Sequence, residues 1–143
     1  MATHPADVYA LVGFPPGAAD RPLGLADTVE DGLPVAAVER IAKAIAPDDA
    51  GFKYRIVPKA TLERRRKTRG RLSSEEGNRV ARLAKAYAMA MSIYRDEDLV
   101  AEFMRRPHML LEGKAPRDVA LATGPGADAV VHLLGSAAYG GAV

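Results

Sequence analysis

Cysteine is absent from the 143 residues. That excludes disulfides, a thiolate nucleophile and cysteine-based metal sites, and it suits a reducing compartment. Aromatic residues are scarce at 6%, against 48% hydrophobic and 27% charged residues, and no stretch approaches the ~20 consecutive apolar residues of a membrane-spanning helix. Residues 1–7 lack both a basic start and an apolar run, so no secretion signal is expected and the expected location is the cytoplasm. Serines are few (Ser73, Ser74, Ser92, Ser136), and none stands in a Gly-x-Ser-x-Gly elbow. His4, His108 and His132 are far apart, without a ligand partner at helical spacing. With neither a nucleophile nor a metal set, the chain is expected to catalyse nothing and to need no cofactor.

The length suits one compact domain, or two small helical subdomains sharing a core. A net charge of +2 hides a marked asymmetry. Residues 1–50 hold three basic and eight acidic side chains, residues 51–71 nine and one, and residues 72–143 eight and nine. The positive charge is therefore concentrated between Lys53 and Arg71. A block this dense is either a solvated face or a surface for phosphates or an acidic partner.

Periodicity predicts an all-α fold. Residues 1–33, rich in proline and glycine, read as an irregular arm, with Val8, Leu11, Val12 and Phe14 as an apolar patch that docks on the body or on a second copy. A helix is expected from Pro34 to Pro47, with Val35, Val38, Ile41, Ala42 and Ile45 inward. Two short helices should follow up to Thr68, the second carrying Leu62 inward and Lys59, Arg64, Arg65 and Lys67 outward. The best-marked helix spans 73–94. Ser73 and Glu76 form a capping box, Val80, Leu83, Ala84, Tyr87, Met91 and Tyr94 share a face, and Arg79, Arg82 and Lys85 lie opposite. The next is marked by Asp96, Glu97 and Asp98 at its start, an inner stripe of Leu99, Val100, Phe103 and Met104, and Arg105 and Arg106 near its end. A short helix should run from Pro116 to a stop at Gly124. A last one should follow Pro125 and Gly126, with Ala127, Val130, Val131, Leu134 and Ala138 on its apolar side.

The spacing of Gly124, Gly126 and Ala129 fits a loose dinucleotide fingerprint. That fingerprint needs a strand–turn–helix–strand unit with an acidic residue about 20 positions on. Residue 143 is reached first, so a helix-to-helix corner is the better reading. The carboxylate clusters at Asp48–Asp49, Glu75–Glu76 and Asp96–Asp98 all stand at expected helix starts, where capping explains them. Asp128 and His132, four apart, read as a surface pair. Among the methionines, Met91 and Met104 read as core, while Met89 and Met109 are left open to an adaptable binding surface.

Helix, turn, basic helix is the order of a DNA-binding helix-turn-helix, in which Lys59 and Thr61 would face bases and Arg64, Arg65 and Lys67 phosphates. Against a working unit, Gly51 costs its first helix about 1 kcal/mol relative to alanine, and Pro47 and Pro58 leave that helix short. The segment reads either as a functioning unit or as a degenerate one kept for packing or dimerisation.

Four features of the second half occur together: an arginine-rich segment, the Gly70-Arg-Leu-Ser-Ser-Glu-Glu helix start, the Gly113-Lys-Ala-Pro-Arg-Asp turn, and a closing Val130-Val-His-Leu-Leu-Gly-Ser-Ala-Ala-Tyr139-Gly140. Over roughly residues 58–143 this resembles the toxin-binding domain of the Xre/MbcA/ParS antitoxins, and residues 33–68 resemble the Xre-like helical region that precedes it. The chain departs from that family's pattern in its N-terminal half, and is expected to divide into an irregular arm over 1–33, a degenerate Xre-like helix-turn-helix region over 34–70 and, as the resemblance implies, a toxin-binding domain over 71–143. It also implies an antitoxin that acts as a homodimer within a hetero-oligomeric complex. The implied partner is a RES-domain toxin that degrades NAD or transfers its ADP-ribose. Carried onto this chain, it places Tyr139, Gly140, Gly141, Ala142 and Val143 at the toxin's NAD cleft. Operator DNA, met through the basic segment, is the alternative partner and autorepression the alternative function.

Overall fold

Helical spacing of apolar residues governs the described part of the chain. The computed structural model describes residues 5–138 and places nine α-helices among them: α1 (Pro5–Val12), α2 (Gly24–Asp31), α3 (Ala36–Ile45), α4 (Lys53–Ile56), α5 (Lys59–Thr68), α6 (Ser74–Tyr94), α7 (Glu97–Arg105), α8 (Pro116–Ala122) and α9 (Gly124–Ala138). Two 3-10 turns, Ala18–Asp20 and Met109–Leu111, complete the set. The described residues contain no strand, only isolated bridges joining Pro34 to Arg71 and His108 to Lys114.

The capping box forms as its spacing predicts: Ser73 Oγ accepts from the Glu76 amide at 3.2 Å, and Glu76 Oε1 accepts from the Ser73 amide at 2.8 Å. From it α6 runs 21 residues, about 31 Å. Val80, Leu83, Ala84, Tyr87 and Met91 are buried as expected, but so are Ala86, Ala88 and Ala90. Those small side chains let helices approach from more than one side, and α1, α2, α3, α7, α8 and α9 all pack on α6. The side opposite the apolar stripe is covered too. Arg79 Nη1 donates to the Ile56 carbonyl at 3.1 Å, Arg82 Nη2 to the Leu121 carbonyl at 2.6 Å, and Lys85 Nζ to Asp128 Oδ1 at 2.8 Å. These three cations staple neighbouring elements, Arg79 and Arg82 from part-buried positions and Lys85 from an exposed one. Asp128 thereby takes Lys85 as its ion-pair partner in place of the expected His132.

The first 33 residues depart from the irregular arm expected of them, since α1 and α2 lie there. Pro5 occupies the first helical position, where a missing N–H costs nothing. Val8, Val12 and Phe14 are buried, while Leu11 is half exposed. Gly24 begins α2 because a Cβ there would stand 1.8 Å from the Ala18 carbonyl oxygen. That glycine marks a close approach of backbone, which composition alone reads as looseness.

Two further details differ. Leu99, assigned to the inner stripe of α7, is exposed, whereas Val100, Phe103 and Met104 are buried. Gly124 opens α9 instead of stopping α8. The corner is made by Thr123, whose Oγ1 accepts from the Gly126 amide at 2.9 Å. A Cβ on Gly126 would meet the Val119 carbonyl at 2.2 Å, so close packing of α9 on α8 accounts for the glycine that imitates a nucleotide fingerprint.

Candidate functional site

The basic helix α5 follows Pro58, whose extended backbone (φ −53°, ψ 145°) turns the chain into it. It ends at Arg69 in the left-handed region (φ 53°), where the amides of Arg69 and Gly70 close on the Arg66 and Arg65 carbonyls. Leu62 is fully buried and fixes the rotation of the helix. Arg65, three residues later, falls on the same side and turns inward. Its Nη1 donates to the Arg71 carbonyl at 2.9 Å, and its Nη2 lies 3.1 Å from Glu76 Oε1, the oxygen that caps Ser73. Arg65 therefore locks α5 to the start of α6, a role its sequence spacing from Leu62 could have signalled.

The other residues singled out in this block divide by face. Lys59, Arg64 and Lys67 are exposed, and Thr61 is half-buried. Arg64 and Lys67 make no side-chain ion pair among the described residues, and Lys59 Nζ sits 5.7 Å from the centre of the Tyr54 ring. Arg66, not singled out from the sequence, pairs with Glu39 at 2.8 Å, and Lys53 reaches the same carboxylate at 3.0 Å. Glu39 thus ties α3, α4 and α5 together, and those hydrogen bonds, Lys53 foremost, hold its carboxyl below the usual range. The first helix of the would-be helix-turn-helix shrinks to the four residues of α4, as Pro47, Gly51 and Pro58 suggest.

A second constellation joins this region to the C-terminal helices. Phe52, fully buried, lies between two guanidinium groups, with Arg55 Cζ 5.2 Å and Arg117 Cζ 5.5 Å from its ring centre. Arg55 pairs with Asp118 at 2.8 Å. Arg117 grips Asp48 with both ends of its fork, at 2.7 and 3.2 Å, and those bonds hold the Asp48 carboxyl below its ordinary value. Helix α4 is thereby clasped to α8.

At the far end of the chain α9 packs on α6 and α8 through Ala127, Val130, Leu133 and Leu134, and its burial stops there. Tyr139, Gly140, Gly141, Ala142 and Val143 lie outside the described residues. The turn after α7 is held by His108, whose Nδ1 accepts from the Leu110 amide at 3.1 Å. Met109 and Leu110 stand exposed beside it, whereas Met91 and Met104 belong to the core as expected. No three His, Asp or Glu side chains among the described residues gather closely enough to hold a metal ion, and no helix there is long and apolar enough to cross a membrane.

Residues 24–85 match the antitoxin Xre-like helix-turn-helix domain, and residues 89–140 match the antitoxin Xre/MbcA/ParS C-terminal toxin-binding domain. No curated protein matches the chain. The two matches meet inside α6, so one continuous helix serves both. The chain carries the two domains of an Xre/MbcA/ParS antitoxin, a helix-turn-helix domain followed by a domain that binds a toxin.

Proposed function

We propose that this antitoxin neutralises a RES-domain toxin that consumes NAD, by hydrolysis or by ADP-ribosyl transfer, and that it does so by laying α9 and the residues beyond over the toxin's active site. The observation that carries the reading is the course of α9. Its last buried side chain is Leu134, Ala137 is only half-buried and Ala138 exposed, and the toxin-binding match continues past the helix end to residue 140. Beyond Ala138 come Tyr139, Gly140, Gly141, Ala142 and Val143. Small side chains of this kind can enter a narrow cleft, and Tyr139 supplies a ring for stacking. Inhibition is then occlusion, and the antitoxin itself catalyses nothing. In this reading it acts as a homodimer within a hetero-oligomeric complex.

Co-expression tests the mechanism. Bacteria carrying the RES-domain protein encoded beside this chain should grow with the full antitoxin and die with a version ending at Ala138 that still binds in pull-down. Equal rescue by both would sink the tail mechanism and leave the helical body as the inhibitor.

A second reading is favoured by the outward face of α5 and the match over 24–85: autorepression through operator DNA. Lys59, Arg64 and Lys67 would contact it, with Thr61 at the edge and Arg65 acting from behind as a positioning residue. Phosphate contacts make affinity fall steeply with salt. Substituting Arg64 or Lys67 by Ala should lower the slope of log affinity against log salt by about one each. An unchanged slope for both would remove this face from DNA binding.

A further inference from the structure

Exposed large apolar residues scattered singly are ordinary, whereas a group of them at one end of a molecule marks a contact surface. Leu99 is 52% exposed, Leu110 69% and Met109 89%, and all three lie within the toxin-binding match. Leu99 lines a groove of about 180 Å³ together with Tyr94, Phe103 and His108, and Met109 and Leu110 follow His108 directly in the chain. The Tyr94 and Phe103 ring centres are 5.8 Å apart, and Phe103 and His108 are 6.4 Å apart. Glu102 accepts from both Arg105 and Arg106, which leaves one net positive charge at the rim. A partner there meets the three apolar side chains beside that single surplus cation.

The position of this ledge selects its occupant. Lys85 of α6 meets Asp128 of α9, and Met89 of α6 meets Gly135 of α9, where a Cβ would stand 3.6 Å from Met89 Cε. The two helices thus run in the same direction, and α9 ends level with the end of α6 at Tyr94. Helix α9 also touches the Met109–Leu111 turn. Groove, turn and the end of α9 accordingly share one end of the molecule. Five extended residues beyond 138 reach about 17 Å at most, so a protein that engages residues 139–143 is brought up against the ledge.

We propose that Leu99, Met109 and Leu110 form a second contact for the same toxin, an apolar ledge that supplies affinity while the tail supplies inhibition. This rests on the tail-in-cleft reading above and assigns that interface a separate anchoring half. The test measures binding of the purified RES-domain protein encoded beside this chain to the full antitoxin, to a double Met109→Ser, Leu110→Ser variant and to a Leu23→Ser control. Leu23 is also exposed, at 66%, but precedes α2, far outside the toxin-binding match. Circular dichroism melts verify that each folds, and light scattering gives each its oligomeric state.

The double variant is expected to bind at least about tenfold more weakly, with the control unchanged and melting temperatures equal. Unaltered binding by the double variant would overturn the inference alone. So would a shift from dimer to monomer at unaltered toxin affinity, since the occupant would then be a second copy. Failure of the unmodified chain to bind the toxin would overturn the reading beneath it, and the ledge with it.

Discussion

Arg65 and Lys67 are two residues apart on one helix and are nonetheless assigned opposite duties. Removing the Arg65 guanidinium would leave the Glu76 carboxylate, almost wholly buried, with one cation fewer, and would free the Arg71 carbonyl. Losing hydrogen bonds to a charged group in such a place costs about 1–3 kcal/mol. Urea titration of Arg65→Ala should show a loss of that size, whereas Lys67→Ala should stay within about 0.5 kcal/mol of the parent. Equal effects would erase the distinction between a lock and a contact face. Leu62 and the capping box are plainly legible in the sequence, because both are local patterns of spacing. The spacing of Arg65 from Leu62 signals its inward side, but its partner Glu76 is eleven positions away across a turn, and no periodicity within α5 reports on it. Leu99 sits at the edge of a stripe, where burial depends on whether a neighbouring element covers it, and none does.

Among the elements, α3 and α5 to α8 were readable because their apolar residues recur at helical spacing between clear starts and stops. Helices α1 and α2 were hidden by glycines and prolines that serve helix starts and close approaches, and the beginning of α9 by a glycine pressed against α8. Cross-element ion pairs were invisible to any local pattern, yet they lend the packing a pH dependence. Arg117 lowers the Asp48 carboxyl, and Lys53 and Arg66 lower that of Glu39. A carboxylate whose folded value lies below its unfolded value near 4 stabilises the fold above that pH, and the contribution is lost as pH falls through the folded value. Both groups are partly exposed, so solvent screening keeps each effect small. The melting temperature should therefore decline below about pH 4, and the decline should be shallower in Asp48→Asn, whose side chain has no proton to gain. An identical acid limb in parent and variant would mean that the Asp48–Arg117 pair adds nothing to stability.

In the whole molecule the two antitoxin domains share α6 and are joined again by Arg117 with Asp48, Arg55 with Asp118, and Arg82 with the Leu121 carbonyl. Neither half can open without exposing the buried side of that helix, so the chain should unfold as one cooperative unit. Cooperativity then carries toxin binding into the helix-turn-helix half. A ligand at a hundred times its dissociation constant stabilises the folded state by about 2.7 kcal/mol, and in a single unit every amide that exchanges only by global opening feels it. Hydrogen exchange measured with and without saturating toxin should therefore slow about a hundredfold for the most protected amides of α6. Those of α5 that share its opening should slow alongside, although α5 lies outside the toxin-binding match. Arg117→Ala should reduce the protection gained by α4 and α5 more than that gained by α9. If toxin protected α9 while α5 exchanged at its former rate, the halves would open separately, and the shared helix would be a hinge between two units instead of the spine of one.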